Sequence, residues 1–304
     1  MRIKVILISM LLGLNIFLSA QKYQYEVSLE PLEIPGLGGI QSFAFAQSNG
    51  EWLVLGGRLD GLHRLQPFTA FDESGNNTQI IVINPTTQES WKASYNNIPA
   101  GIREQLSSTN MQFYQEEGNL ILTGGYAYSP TANDHITFPY ITVIDVDKLI
   151  SQVKNNSINS SGFMQITDQK FAVTGGYLEK IDDTFYLVGG QRFDGLYNPM
   201  GADFGPGFKQ EYTDEIRPFN LNINAQNFRV DHLEETHDEL HLHRRDYNLL
   251  PQIRNGKEEL MVFSGVFQKN IDMPWLYPVE ISKAGHQALE NFTQRFNHYH
   301  CATL

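Results

Sequence analysis

The sequence of 304 residues is poor in cysteine and in basic side chains. Its single cysteine, Cys301, cannot form a disulfide within the chain, so packing and strand pairing must hold the core together. Only 22 Lys and Arg stand against 34 Asp and Glu, which gives a formal net charge of −12. Because such a surface repels phosphate backbones, we expect no nucleic acid among the partners.

Long apolar runs are also scarce. The strongest run, residues 5–17, follows Arg2 and Lys4 and leads to small residues that end at Ala20. It is shorter than the roughly 20 residues that a transmembrane helix needs, and its layout is typical of a secretory signal peptide. We therefore predict a signal peptide at residues 1–20, no transmembrane anchor, and a secreted, periplasmic or cell-surface location.

Several catalytic motifs are absent. The sequence contains no Gly-x-Ser-x-Gly, no Walker phosphate loop and no His-Glu-x-x-His, which mark serine hydrolases, nucleotide-binding proteins and zinc proteases respectively. The sequence also gives no sign of a cofactor, and we expect none. These absences favour a binding protein over an enzyme.

What the sequence does contain is a unit that occurs four times. Each unit has a run of four apolar residues that ends in a small residue and a glycine, at Gly56-Gly57, Gly124-Gly125, Gly189-Gly190 and Ser264-Gly265. A polar turn precedes each run. Short apolar runs of this kind predict strands that are covered on both faces. Recurrence at intervals of 68, 65 and 75 residues predicts a repeat architecture.

Further strands complete each unit. First strands are predicted at residues 42–47, 111–115, 177–181 and 249–253. Third strands are predicted at 79–84, 140–145, 216–222 and 276–281, and the first unit has a fourth strand around Trp91. A short helix is expected at 146–153, and the Gly- and Pro-rich insert 193–212 is expected to be a long loop. Four antiparallel strands in each repeated unit predict the blades of a β-propeller.

The pattern resembles the kelch repeat. The first unit has Gly56 and Gly57 after its second strand, Asn84 and Pro85 after its third strand, and then Trp91. The later units keep the glycines but lack the tryptophan. The resemblance is to the kelch-type β-propeller family, as a secreted bacterial member, and it implies an all-β, kelch-like β-propeller over residues 21–304.

The resemblance implies four four-stranded blades and part of another. The blades are expected at residues 38–97, 110–169, 171–236 and 244–295, with the first strand of a fifth unit at 298–304. Since the fifth unit stops after one strand, we expect an incomplete ring and a chain that is a fragment of a longer protein. A closed ring of four blades is the alternative.

The positions just before the innermost strands are expected to meet at one mouth of the central channel. The candidate binding residues there are Gln41, Asn110, Arg245, Asp246, Asn248 and His300. Arg245 is the donor expected for an anion or a sugar. If the protein is an enzyme, Arg245, Asp246 and His300 are the candidate catalytic residues. The simpler interpretation is that Arg245 and Asp246 pair with neighbouring blades.

Residues 237–246 are rich in histidine. If the segment is extended, His237, Glu239, His241 and His243 lie on one side, because strand side chains alternate. That arrangement makes His241 and His243 candidate metal ligands. The alternative is an outer strand whose histidines are solvated.

The sequence therefore predicts a secreted or periplasmic binding module for a protein or glycan ligand. The alternative is a sugar- or glycan-active enzyme, similar to a mutarotase or epimerase, with its site at the channel mouth. A nonfunctional truncated product is a third interpretation. A copper site like that of galactose oxidase is not expected, since the only cysteine lies at the chain end. The oligomeric state is not indicated.

Overall fold

The computed structural model describes residues 27–61, 66, 68–205, 207–224, 226–301 and 303. The predicted signal peptide, residues 1–20, lies outside the described residues. The chain divides into two compact units, residues 1–33 and 34–304. Of the first unit, residues 27–33 are described, and they form neither helix nor strand.

The second unit is built from antiparallel β-sheets that follow one another along the chain. The first sheet contains, in order, β1 (Ala44–Ser48), β2 (Glu51–Leu55), β3 (Gln79–Asn84) and β4 (Glu89–Ser94). The second sheet contains β5 (Gln112–Glu116), β6 (Asn119–Thr123), β9 (Tyr140–Asp145) and β10 (Phe163–Thr167). Between β6 and β9 the chain forms a separate hairpin of β7 (Tyr126–Ser129) and β8 (Asp134–Thr137).

The third and fourth sheets repeat this order. The third sheet contains β11 (Tyr177–Ile181), β12 (Thr184–Val188), β15 (Glu215–Ile223) and β16 (Phe228–His232), with β17 (Thr236–His237) paired to β15. Its inserted hairpin contains β13 (Gln191–Gly195) and β14 (Phe208–Tyr212). The fourth sheet contains β18 (Arg245–Arg254), β19 (Lys257–Val266), β20 (Val279–Ser282) and β21 (Gly285–Ala288).

Helices are short and lie in the connections between strands. They are α1 (Ala100–Leu106) and α2 (Val146–Lys154), together with single 3₁₀ turns at Glu73–Gly75, Ser160–Gly162, Gln169–Phe171 and Ala202–Phe204. The Asp145 side chain caps α2 by accepting a hydrogen bond from the Lys148 backbone N at 3.0 Å.

No helix in the described part of the chain is long and apolar enough to cross a membrane.

The core consists of apolar clusters between successive sheets. Leu120 and Leu122 of β6 join the cluster that includes Leu53 and Leu55 of β2, whereas Ile121 joins a second cluster with Phe185 of β12. Alternation along the strand sends neighbouring side chains to opposite faces. Both faces of the strand are therefore buried, which explains why the second strands are continuously apolar.

A third cluster joins the third and fourth sheets. Tyr186 and Val188 of β12 pack there with Leu249, Leu260 and Val262 of the next sheet. The first strands of the first two sheets also touch directly. Gln115 of β5 donates a hydrogen bond to the Gln47 carbonyl at 2.7 Å and accepts one from the Gln47 backbone N at 2.8 Å. Apolar packing between consecutive sheets thus recurs along the chain.

The double glycines are the points at which each sheet receives the segment that leads to the next sheet. The Gly57 backbone N donates to the Ser108 carbonyl at 2.8 Å, and the Gly125 backbone N donates to the Val173 carbonyl at 3.0 Å. All six of these glycines have positive φ, a conformation that favours glycine. A Cβ at Gly124 would lie 1.8 Å from the Val173 carbonyl oxygen. Both the backbone angle and the close approach therefore require glycine.

The fourth sheet receives the C-terminal segment at the equivalent place. The Ser264 backbone N donates to Gln294 Oε1 at 2.9 Å, and the His298 backbone N donates to Ser264 Oγ at 3.0 Å. The prediction of a strand at 298–304 is wrong for the described residues 298–301 and 303, which form no strand. Side-chain hydrogen bonds to the Ser264-Gly265 turn hold this segment, in place of a strand ladder.

The other sequence predictions differ from the structure mainly in the connections. The four sheets fall within residues 38–97, 110–169, 171–236 and 244–295, apart from the last residue of β17. Residues 193–212 were expected to be a loop, yet they contain most of the β13–β14 hairpin. Its strands are held together by the stacked rings of Phe193 and Phe208, whose centroids lie 4.7 Å apart. The β7–β8 hairpin was not predicted.

We expect Gly124→Ala to lower the free energy of unfolding by about 2–4 kcal/mol, because it combines left-handed strain with a collision against the Val173 backbone. Chemical denaturation measures the change. Gly175 also has positive φ but open space around it, so Gly175→Ala isolates the strain, about 1 kcal/mol. Gly118→Ala meets neither obstacle. Equal losses for Gly124→Ala and Gly118→Ala would contradict the close-approach explanation.

Burial raises the pKa of Glu179 on β11 from 4.5 to about 7, with the Lys180 backbone hydrogen bond acting in the opposite direction. The folded state therefore holds the proton more tightly than the unfolded state. We expect this stabilisation to be complete below about pH 4.5 and to be lost as the pH rises to about 7, by roughly 1–3 kcal/mol. Urea unfolding of the wild type and of Glu179→Gln across this range tests the expectation. An identical pH slope in the two proteins would refute it.

Candidate functional site

A cavity of about 240 Å³ lies where the inner ends of the sheets meet the connections that follow the double glycines. We call it the Arg245 cavity. It is lined by Phe71, Asn110, Tyr126, Thr174, Gly175, Gln191, Phe193, Tyr197, Arg245, Asp246 and His300. Residues from parts of the chain that are distant in sequence therefore converge on one concave surface.

One side of the Arg245 cavity is formed by residues that precede the first strands. The Asn110 backbone N donates to the Ser42 carbonyl at 3.2 Å, and the Gly175 backbone N donates to the Asn110 carbonyl at 3.1 Å. Ser42, Asn110 and Gly175 each have positive φ and stand two residues before a first strand. Among the described residues, none hydrogen-bonds to the Asn110 side-chain amide. That amide is therefore available to a ligand.

A second side of the Arg245 cavity is aromatic. The Tyr126 hydroxyl donates to the Gly195 carbonyl at 2.7 Å and accepts from the Tyr197 backbone N at 2.9 Å. Burial raises the pKa of Tyr126 well above its usual range, so the phenol keeps its proton. The ring of Phe71 meets the rings of Tyr126 and Tyr197 edge-on, at centroid distances of 5.5 and 5.4 Å. The Arg58 guanidinium lies 5.0 Å from the centroid of Phe71.

The third side of the cavity is charged. His300 Nε2 lies 3.0 Å from Asp246 Oδ1, whereas Arg245 Nε lies 3.8 Å from Asp246 Oδ2, too far for a hydrogen bond. Burial alone would raise the pKa of Asp246, but the hydrogen bond with His300 and the charges of His300 and Arg245 lower it. Asp246 is therefore ionised. The Arg245 guanidinium lies 4.3 Å from the centroid of the Phe267 ring.

Four of the six predicted binding residues line this cavity, namely Asn110, Arg245, Asp246 and His300. The other two lie elsewhere. Gln41 is paired through its backbone with Arg58, and its side chain donates to the Gly61 carbonyl. Asn248 is buried and donates to the His298 carbonyl at 2.6 Å, beside a different cavity of about 460 Å³.

The histidine-rich segment is not extended as expected. After β17 ends at His237, the Asp238 side chain accepts hydrogen bonds from the backbone N atoms of Leu240 and His241, at 3.0 and 3.1 Å. Residues 239–241 therefore turn. An aspartate side chain that accepts hydrogen bonds from nearby backbone N–H groups favours a turn over a strand.

The two candidate metal ligands bind different carboxylates. His241 Nδ1 lies 2.8 Å from Asp238, and His243 Nδ1 lies 2.9 Å from Asp214. Burial alone would raise the pKa of Asp238, but hydrogen bonds from His286 and His241 lower it to about 2. Within the described part of the chain, no group of three or more His, Cys, Asp or Glu side chains is arranged to hold a metal ion.

The aromatic side of the Arg245 cavity was not predicted from the sequence. Tyr126 and Gln191 each come directly after a double glycine, and both line the cavity. The position after Gly-Gly could therefore have predicted cavity-lining residues, since the repeat places it at the same point in each unit. Phe71 and Tyr197 lie within connections of different length and carry no such signal.

A larger cavity of about 800 Å³ lies between the second and third sheets, at the hairpin turns. Its lining is polar, and two of its charged residues, Lys180 and Glu116, already pair with each other. None of the six predicted binding residues lines it, whereas four of them line the Arg245 cavity. We therefore take the Arg245 cavity as the candidate site.

No protein-family model matches this chain, and no curated protein is significantly similar to it in sequence.

We expect Tyr126→Phe to cost about 1–3 kcal/mol in the free energy of unfolding, because it removes the hydroxyl that joins the Gly195 carbonyl to the Tyr197 backbone N. Denaturant unfolding gives the value. Tyr128→Phe is the matched control, since the one described hydrogen bond of its hydroxyl is to exposed Asn133. If the two variants were equally stable, the hydroxyl would not hold the aromatic side together.

Proposed function

We propose that this chain is a kelch-like β-propeller, secreted or periplasmic, whose four sheets are blades. The proposal is supported by the identical strand order of the four sheets and by the positive-φ glycines at the end of the second strand in each of the first three. It is supported further by the packing of each sheet on the next. Repetition of one antiparallel sheet around an axis is the construction of a propeller.

The function that the geometry supports best is binding, with the end of a glycan chain as the ligand of the Arg245 cavity. The observation that carries this proposal is the convergence of Asn110, Arg245, Asp246 and His300 on a cavity that aromatic rings also line. Small-molecule sites combine apolar walls with a few placed polar groups. A sugar ring offers both an apolar face and several hydroxyls, so it matches both sides.

Catalysis on a sugar is the second candidate function. It is favoured by the pair of Asp246 and His300, whose side chains are 3.0 Å apart at the cavity. A carboxylate beside an imidazole can transfer protons to and from a sugar hydroxyl, as a mutarotase or epimerase requires. We rank it second because the pair is half-exposed at His300, and general acids and bases gain from burial.

We expect Asn110→Ala to weaken glycan binding at least tenfold, because the variant loses an amide that has no other partner in the described part of the chain. The protein is first screened on an array of neutral and acidic oligosaccharides, and affinities for the bound members are then measured by calorimetry. Asn222→Ala is the matched control, since Asn222 is on the third sheet and bonds Asp231 at 2.9 Å. Equal affinities for wild type and Asn110→Ala would place the glycan elsewhere.

A further inference from the structure

Arg245 differs from the other partly or fully buried arginines in having no hydrogen-bond acceptor. Arg58 makes four hydrogen bonds, two of them to Asp60. Arg244 donates to the carbonyls of His241 and Ser264, both at 2.8 Å. Among the described residues, nothing accepts a hydrogen bond from Arg245, and its Nε atom is buried without a partner. A buried donor left unpaired is costly.

The guanidinium of Arg245 is nevertheless held in place. It lies over the ring of Phe267, 4.3 Å from the centroid. The Arg245 backbone, at the start of β18, pairs with Val266 of β19. A cation over an aromatic face keeps its full charge and its in-plane donors. The group is therefore held at the cavity wall with its hydrogen-bond donors unused among the described residues.

The neighbouring carboxylate does not satisfy this cation. Asp246 uses Oδ1 for His300, and its Oδ2 stays 3.8 Å from Arg245 Nε. The carboxylate also limits which anion can enter, because a doubly charged group such as phosphate would be repelled by it. A single negative charge with two coplanar oxygens matches one guanidinium, which bonds carboxylates in a bidentate manner.

The size of the cavity limits the ligand further. About 240 Å³ is just below the roughly 300–1,000 Å³ of typical small-molecule sites. That volume suits one sugar ring. The remaining sides provide the Asn110 amide for a hydroxyl and the ring of Tyr126 or Phe193 for the apolar face.

We propose that the Arg245 cavity binds an acidic sugar unit, whose carboxylate receives hydrogen bonds from the Arg245 guanidinium. This inference rests on the proposed function, in which a glycan end occupies the cavity. It assigns Arg245 as the residue that discriminates acidic from neutral sugars. Discrimination follows because an ionised guanidinium that stays unpaired beside a neutral sugar keeps its desolvation cost.

The experiment compares matched acidic and neutral sugars on the full chain. Glucuronate and galacturonate are titrated beside glucose and galactose by calorimetry, with inorganic phosphate as a further probe. We expect a uronate to bind at least tenfold more tightly than its neutral counterpart. We expect Arg245→Gln to abolish that preference and Arg245→Lys to restore part of it.

Arg229→Gln is the control for loss of charge, since Arg229 is exposed and pairs with Asp231 on the third sheet. Thermal unfolding establishes that each variant is folded, and Arg245→Lys provides the comparison if Arg245→Gln is not. Equal affinities for uronate and neutral sugar, both lowered by Asn110→Ala, would overturn the acidic preference and leave the proposed function standing. Phosphate that competes as well as a uronate would overturn the assignment of a carboxylate. If no sugar of either kind bound, the proposed function would fail, and this inference with it.

Discussion

The structure depends on a close backbone contact. It lies between the double glycine of one sheet and the segment that leads to the next sheet. At Gly124 there is no room for a Cβ beside the Val173 carbonyl, and the Gly125 backbone N uses that carbonyl as its acceptor. The approach brings the two sheets near enough for their apolar faces to merge into one cluster. It also fixes where the first strand of the next sheet begins, since that strand starts four residues after Val173.

The same constraint positions the candidate site. The residues that lead into the first strands are drawn together by hydrogen bonds from Gly175 to Asn110 and from Asn110 to Ser42. The connections that leave the double glycines begin at this same place, so Tyr126 and Gln191 face the residues before the strands. A cavity at this point follows from the repeat itself. Backbone hydrogen bonds hold Asn110 and Gly175 in place there, so the Asn110 side chain has no structural bond to keep among the described residues.

Repetition made much of the fold predictable. Third strands such as β3 and β9 were predicted with the observed bounds, because their flanking turns recur in each unit. The repeat also predicted that residues just before the first strands meet at one place, and Asn110 and Arg245 do line one cavity. It placed Asn248 wrongly, because β18 begins at Arg245 and Asn248 is already within the strand, where its side chain faces a different cavity. The inserted hairpins escaped prediction because only two of the four units have one after the second strand, and because contacts distant in sequence stabilise them, such as that of Thr137 with Phe193.

Left-handed residues lie before two of the first strands, at the start of β18 and in the C-terminal segment, and they limit which substitutions each position accepts. Ser42, Asn110 and Asp246 hold this conformation although each has a side chain, and so does His300. Neighbouring residues set their backbone conformation. A substitution there therefore changes the functional group and keeps the direction of the Cα–Cβ bond. A library limited to residues that tolerate a positive φ, such as Asn, Asp, His, Ser and Gly, would sample new specificities with little cost to folding.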